Sequence, residues 1–293
     1  MTTTFAPTAS WNVALSEWTR ALGCLGAAAL VTRPPDWAPV RPEVLVAARA
    51  VLVGAGLDPA EAPSGQQLAG PLAQVAAVVG PGEFAWLEQP DAVLLAQGRA
   101  SGHGVQFAAP RIVAALTGLA ERLARPGAAI LDVGTGVAAI AAALAEQFPA
   151  VTVTGLDVSE RVLALARAEL AGHPAVDRVR LRRQDIAALD ERETYDLAWI
   201  PVPFIAPDTL TAGVAAAAAA LRPGGWLLLG LGDVNADQSS LDAAVARLTI
   251  TAWGGTTLTT DDARELLAGV GLTDVTTIAT PPGAPAMTAG RRP

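Results

Sequence analysis

Between residues 128 and 231 short apolar runs alternate with longer stretches whose apolar positions recur every three or four residues. The largely apolar runs 128–131, 195–200 and 226–231 read as the central strands, and 151–156 and the Arg-rich 178–183, where apolar and polar positions alternate, read as two more. Strands that are apolar through both faces belong in a parallel sheet covered by helices on each side. The intervening stretches read as helices over 137–147, 159–171 and 208–221, the second started by Ser159, and Arg222-Pro223-Gly224-Gly225 reads as a turn. Past the fifth strand, 237–248 and 261–269 read as helices. Residues 273–280 and 285–291 then read as two strands joined by Pro281-Pro282-Gly283. A link that short forces them antiparallel.

The first hundred residues lack this alternation. Helices are expected over 10–30, 41–55 and 65–79, with shorter pieces at 83–88 and 90–97, separated by Pro- and Gly-containing breaks. No alternating strand pattern supports a winged-helix module. Gly98-Arg99-Ala100-Ser101-Gly102-His103-Gly104 reads as a flexible joint, which sets the expected domains at 1–108, helical, and 109–293, α/β.

The chemistry gathers where the predicted strands end. The first runs into Asp132, then turns through Gly134-Thr135-Gly136 into an Ala-rich helix. Glycines there permit positive φ and close approach of a ligand to the backbone, and a helix start offers unpaired N–H groups. A carboxylate at this bend suits a cationic ligand better than a bare pyrophosphate, which favours S-adenosylmethionine over NAD. The second strand ends at Asp157, 21 residues after Gly136, the distance at which an acid takes ribose hydroxyls. The third ends in Gln184-Asp185-Ile186, where a carboxylate can accept from an adenine amino group. The carboxyl edge of a parallel sheet is the ligand-binding edge of such folds.

Together, Leu131-Asp132-Val133-Gly134-Thr135-Gly136, Gly155-Leu156-Asp157-Val158, Gln184-Asp185-Ile186 and Leu221-Arg222-Pro223-Gly224-Gly225 resemble the motifs of class I S-adenosylmethionine-dependent methyltransferases. The resemblance covers roughly residues 109–293. It implies a Rossmann-like seven-stranded sheet, mostly parallel with an antiparallel last strand, beside the helical N-terminal domain. It implies that Asp132, Gly134, Thr135 and Gly136 hold the methionine half of the cofactor and that Asp157 binds the ribose. Val158 and Ile186 would then sandwich the adenine and Asp185 would meet its amino group. Ala138 stands where the family's third glycine is usual, and reads as closer helix-to-strand packing. Amino-group methylases of this family carry Asn or Asp before Pro-Pro and an aromatic. Here Ile200 precedes Pro201-Val202-Pro203-Phe204, which removes support for methylation of an adenine or glutamine nitrogen.

Composition narrows the acceptor. The 293 residues are 52% apolar and 16% charged, enough for a globular core. The net charge is −8 and every cation is Arg, with no lysine. A chain without basic clusters is poorly suited to neutralising phosphates, so nucleic acid is not expected as a partner. The uncharged stretch 21–31 is too short to cross a bilayer as a helix, and residues 1–18 hold Glu17 but no basic residue. No membrane association is expected, and a cytoplasmic location is. The single Cys24 forms no intrachain disulfide. His103 and His173 are the only histidines and no Cys or His cluster offers a metal site, so metal-independent in-line transfer to a small-molecule acceptor is expected.

Five further side chains enter as candidates. His103 is a candidate general base, against the alternative of a loop histidine bonded to a backbone carbonyl. Arg99 is placed to meet the cofactor carboxylate or an acidic substrate, or to form a surface ion pair. Trp199, Pro203 and Phe204 are candidates for an apolar acceptor pocket, with core packing as the alternative for Trp199. Trp11, Trp18, Trp37 and Trp86 in the helical region fit a small-molecule cavity, a lid packed on the α/β domain, or a homodimer contact. Two other functions fit less of this pattern: an S-adenosylmethionine-binding protein without transfer activity, and an NAD-dependent oxidoreductase, against which Asp132 and the absence of lysine both stand.

Overall fold

A computed structural model describes residues 11–33, 39–62, 85–232, 241–280 and 286–293. The expected helix at 65–79 lies outside these residues. The chain divides into two compact units, Met1–Val75 and Ala76–Pro293, where the sequence placed a boundary at residue 108.

In the first unit, α1 (Trp11–Val31) packs on α2 (Pro42–Gly54). Pro42 opens α2 in its first turn, where the missing N–H costs no helical bond. Ala48 and Leu52, four apart, bury one face of α2 in a small cluster with Ala27 and Ala28 of α1.

The second unit is built on a seven-stranded sheet of order β3-β2-β1-β4-β5-β7-β6. Its strands are β1 (Ala128–Val133), β2 (Val151–Asp157), β3 (Val179–Arg183), β4 (Tyr195–Pro201), β5 (Leu221–Gly230), β6 (Thr273–Ile278) and β7 (Met287–Arg291). The first five run parallel, and β7 pairs antiparallel with both β5 and β6. The central strands are buried almost throughout, as a sheet covered on both faces requires. One face, including Ile130, Val153, Leu197 and Leu228, packs under α3 (Asp91–Ala115), α4 (Leu119–Leu123) and α5 (Ala139–Gln147). The other, including Leu131, Val133, Ala198 and Leu229, packs under α7 (Pro207–Ala220) and α9 (Thr260–Gly269). Ser159 caps α6 (Glu160–Leu170) by accepting from Val162 N, as its sequence predicts. A capping box between Thr259 and Asp262 starts α9. Helix α8 (Leu241–Ala252) follows β5 in the chain. Among the described residues no helix is long and apolar enough to cross a membrane.

Two local readings are corrected. Residues 98–104 are not a flexible joint but the middle of α3, which continues unbroken to Ala115. A Cβ at Gly98 would overlap Val137 Cγ2, and one at Gly102 would lie 2.9 Å from Ala139 O. The glycines let α3 settle directly on the start of α5, and that packing outweighs their roughly 1 kcal/mol cost in a helix. Pro110 sits inside the same helix, and Gln106 O, the carbonyl four residues before it, accepts instead from Gln147 Nε2 at 3.3 Å. The 222–225 turn, for its part, is absorbed into β5 as an irregular start, with Gly224 at φ 76° and a register shift against Tyr195 and Leu197.

Candidate functional site

The site begins where β1 ends. Asp132 is 1% exposed and its carboxylate accepts from Thr135 Oγ1 at 2.7 Å, its one side-chain hydrogen bond among the described residues. Burial pushes its carboxyl up to about 7; the Thr135 hydroxyl opposes that shift and the nearby Asp157 charge adds to it. Gly134 (φ 61°) and Gly136 (φ 57°) turn the chain through the left-handed region. Thr135 points its side chain across Gly155 on β2, where any Cβ would fall within 2.7 Å of Thr135 Oγ1. Its N–H donates to Leu156 O at 2.8 Å. The turn is thereby locked to the second strand.

Asp157 ends β2 beside it. Its two oxygens accept from Gly136 N at 3.1 Å and Ser159 N at 2.9 Å, so one carboxylate joins the glycine turn to the cap of α6. Burial raises the Asp157 carboxyl and those backbone donors pull it back down. The Asp157 carbonyl accepts from Gln184 N at 3.0 Å, which draws the end of β3 alongside. Asp132, Asp157 and Asp185 therefore stand at three adjacent strand ends, in the order expected. A buried carboxylate with a single hydroxyl partner beside a positive-φ turn fits a ligand ammonium, and a second carboxylate 21 residues on fits a diol.

Comparison with known proteins agrees with this arrangement. Residues 130–225 match the family model of a methyltransferase domain. The chain carries a class I S-adenosylmethionine-dependent methyltransferase domain. A release factor glutamine methyltransferase of Rhodopirellula baltica is 33% identical over 96 residues, 32% of each chain, so the match spans about a third of that curated relative. Among solved structures, an O-methyltransferase family protein from Burkholderia thailandensis has a TM-score of 0.65 at 14% identity, covering 98% of this chain and 99% of that one. Human N-acetylserotonin methyltransferase in complex with SAM has a TM-score of 0.61 at 14% identity, over 98% and 99%. At such identities the two structures speak for the fold.

Within the methyltransferase domain the remaining candidates scatter. Asp185 is exposed, and one of its oxygens accepts from Ala187 N at 2.8 Å, capping the turn Ile186–Ala188. Val158 is 48% exposed at the mouth. Ile186 is not brought to the cleft: its side chain is buried against Gly213 of α7, in the apolar cluster on the far face. Arg99 is not free for a ligand carboxylate. It makes two 2.9 Å bonds to Glu169 of α6, the surface ion pair. His103 lies on α3 rather than in a mobile joint. One helical step from Gly102 turns it off the packed face, and its ring meets the edge of Phe107, itself 69% exposed. His173 accepts from Ala175 N at 3.1 Å through Nδ1 and serves its own loop.

Trp199 pairs in register with Asp132 across β1 and β4, and its ring covers Gly230 on β5. Its indole N–H is buried without a hydrogen-bond partner among the described residues. Pro203 is buried against the 254–255 turn. Phe204 joins a cluster that sequence reading missed: its ring lies 4.8 Å from Trp86 and 5.5 Å from Trp253, nearly parallel to the latter. Trp86 N donates to Trp253 O at 3.0 Å, and the two indoles are 5.0 Å apart. All three rings are partly exposed. Pro201 and Ile205, on either side of this segment, approach a Gly134 Cβ position to 3.7 Å, so the aromatic cluster adjoins the glycine turn.

Proposed function

We propose that this chain transfers the methyl group of S-adenosylmethionine to a small-molecule oxygen or nitrogen nucleophile by in-line displacement, without a metal. The observation that carries the reading is Asp132: a buried carboxylate with one hydroxyl partner, beside a turn whose glycines, Gly134 and Gly136, are partly exposed. Bound S-adenosylmethionine supplies a methyl on a sulfonium, whose departure as a neutral thioether asks little acid–base help of the protein. The chain's task is then alignment and exclusion of water, which can contribute about 7 kcal/mol or more.

In this reading Asp132 holds the ligand ammonium, Thr135 fixes the carboxylate, and the backbone of Gly134 and Gly136 lies against the methionine half. Asp157 receives the ribose hydroxyls, Val158 covers one face of the adenine, and the second oxygen of Asp185 accepts from its amino group. Residues 1–108 serve acceptor recognition. The aromatic surface of Trp86, Phe204 and Trp253 supports a flat, apolar acceptor beside the glycine turn.

Calorimetric titration with S-adenosylhomocysteine, beside NAD, tests the reading. Binding of the former alone, weakened in Asp157→Ala by about 1–3 kcal/mol, is the expected result. Methyl transfer to members of an acceptor library then separates an enzyme from a binding protein. Absence of S-adenosylhomocysteine binding to the intact chain would overturn the reading.

A further inference from the structure

Ala138 is fully buried and stands at φ 62°, in the left-handed region, immediately after the cofactor turn and at the start of α5. A residue with a Cβ pays roughly 1–2 kcal/mol to be there, and such a conformation persists only where its surroundings over-determine it. Its own hydrogen bonds do part of this: Ala138 N donates to Thr135 O at 2.9 Å and Ala142 N to Ala138 O at 2.9 Å. The rest comes from α3. Gly98 receives Val137 and Gly102 receives Ala139, the two residues that flank Ala138. Each contact is so close that a single methyl group on α3 would have to displace the loop or the helix.

Helix α3 is also tied to the second cofactor motif. Arg99 grips Glu169 near the end of α6. At the start of α6, Arg161 donates to Asp91, to Leu87 O and to Gln89 O, the last at 2.9 Å, and so holds the turn that leads into α3. That turn carries Trp86 of the aromatic cluster. Helix α3 and the turn before it thus touch the loop of the first motif, the helix of the second, and the aromatic cluster.

We propose that α3 is the strut that holds the cofactor loop in its strained, ligand-ready form, with Gly98 and Gly102 as positioning residues. Neither glycine touches the ligand; they act through Val137 and Ala139 on the turn that carries Asp132. The proposal rests on the cofactor assignment above.

The test is a double-mutant cycle on the full chain with S-adenosylhomocysteine as the probe. Gly98→Ala should weaken its binding about tenfold, the scale of an overpacked contact, with an unchanged far-UV circular dichroism spectrum. In ligand-free protein the same variant should show faster amide exchange over residues 137–142. Adding Val137→Ala, which removes the methyl groups that Gly98 accommodates, should restore both affinity and protection. An affinity unchanged in Gly98→Ala, or a double variant no better than the single, overturns the proposal. Should Gly98→Ala not fold, Arg99→Gln with Arg161→Gln loosens α3 through partly exposed pairs that contribute little to global stability. That variant should bind several-fold more weakly while melting close to the parent, and parental affinity in it overturns the proposal. If the parent itself does not bind the probe, the cofactor assignment fails. Amide exchange over 137–142 in the ligand-free variants then still decides whether α3 restrains the loop.

Discussion

Asp132 and Asp196 sit on neighbouring central strands, 1% and 4% exposed, at opposite ends of the sheet. At the amino edge Asp196 accepts from Arg122 Nη1 at 3.2 Å, Arg222 Nη1 at 2.6 Å and Ala129 N at 3.1 Å. At the carboxyl edge Asp132 has the Thr135 hydroxyl. Residue type and burial are alike; the supply of donors is not. A buried carboxylate surrounded by cations binds its own chain together, because both of its oxygens are engaged within the protein. One left with a single neutral donor retains capacity for a cation that the chain does not contain. Asp157 is intermediate, using one oxygen to organise the glycine turn and the other to start α6.

Breaking the amino-edge member should have the largest effect on the fold. Asp196→Ala leaves two guanidinium groups without their carboxylate and should lower unfolding free energy by about 3 kcal/mol, the usual cost of halving a buried pair. Chemical denaturation measures it, and S-adenosylhomocysteine affinity should be untouched. Asp132→Asn should do the reverse. The amide keeps an acceptor for Thr135, so stability should hold, while probe affinity falls by about 2 kcal/mol, in the range for a lost charged hydrogen bond. If both variants lost stability and kept affinity, the contrast between the two edges would be void.

How much of this contrast was readable in the chain depends on range. The Asp132-to-Gly136 turn and the 21-residue step to Asp157 are local patterns, and the structure closes them into one hydrogen-bonded unit. The antiparallel last pair was legible because the link between 280 and 285 is too short for a crossover. What could not be read came mostly from tertiary contacts. Gly98 and Gly102 carry a helix-breaking signal when read along the chain, but their value lies in what they allow to approach from 35 residues or more away. Arg99 found Glu169, and Phe204 found Trp86 and Trp253, through pairings that no periodicity records. Ala138 was read as a packing substitution, whereas its backbone is in the left-handed region.

Asp132 should also make both stability and ligand affinity depend on pH. Asp132 titrates near 7 in the folded chain and near 4 when unfolded. Between those values the native state holds a proton that the unfolded state has released. This contribution to stability is therefore present at low pH, declines as pH rises through that window, and levels off above about 7. A bound ammonium favours the ionised form, so probe affinity should rise about tenfold per unit up to roughly pH 7 and then flatten. Burial raises Asp157 in the same direction, and Asp132→Asn isolates its share. A pH-independent affinity in the parent chain would remove Asp132 from the ammonium's environment.

The smallest effect separates strain at the two edges. Glu193 (φ 46°) and Asp274 (φ 50°) also have positive φ, both near the amino edge, and both are polar. Glu193 is paired with Arg292 and Asp274 with Arg291, so their side chains return something for the backbone they occupy. Ala138 has no polar group with which to do so. Ala138→Gly should remove about 1–2 kcal/mol of strain and lose about 0.5–1 kcal/mol to the greater freedom of glycine in the unfolded chain. A net gain of up to about 1.5 kcal/mol should appear as a slightly higher melting temperature. Glu193→Gly gains the same relief but gives up the pair with Arg292, and should melt no higher than the parent. If Ala138→Gly melted lower instead, its φ would be no burden, and the restraint supplied by α3 would have nothing to oppose.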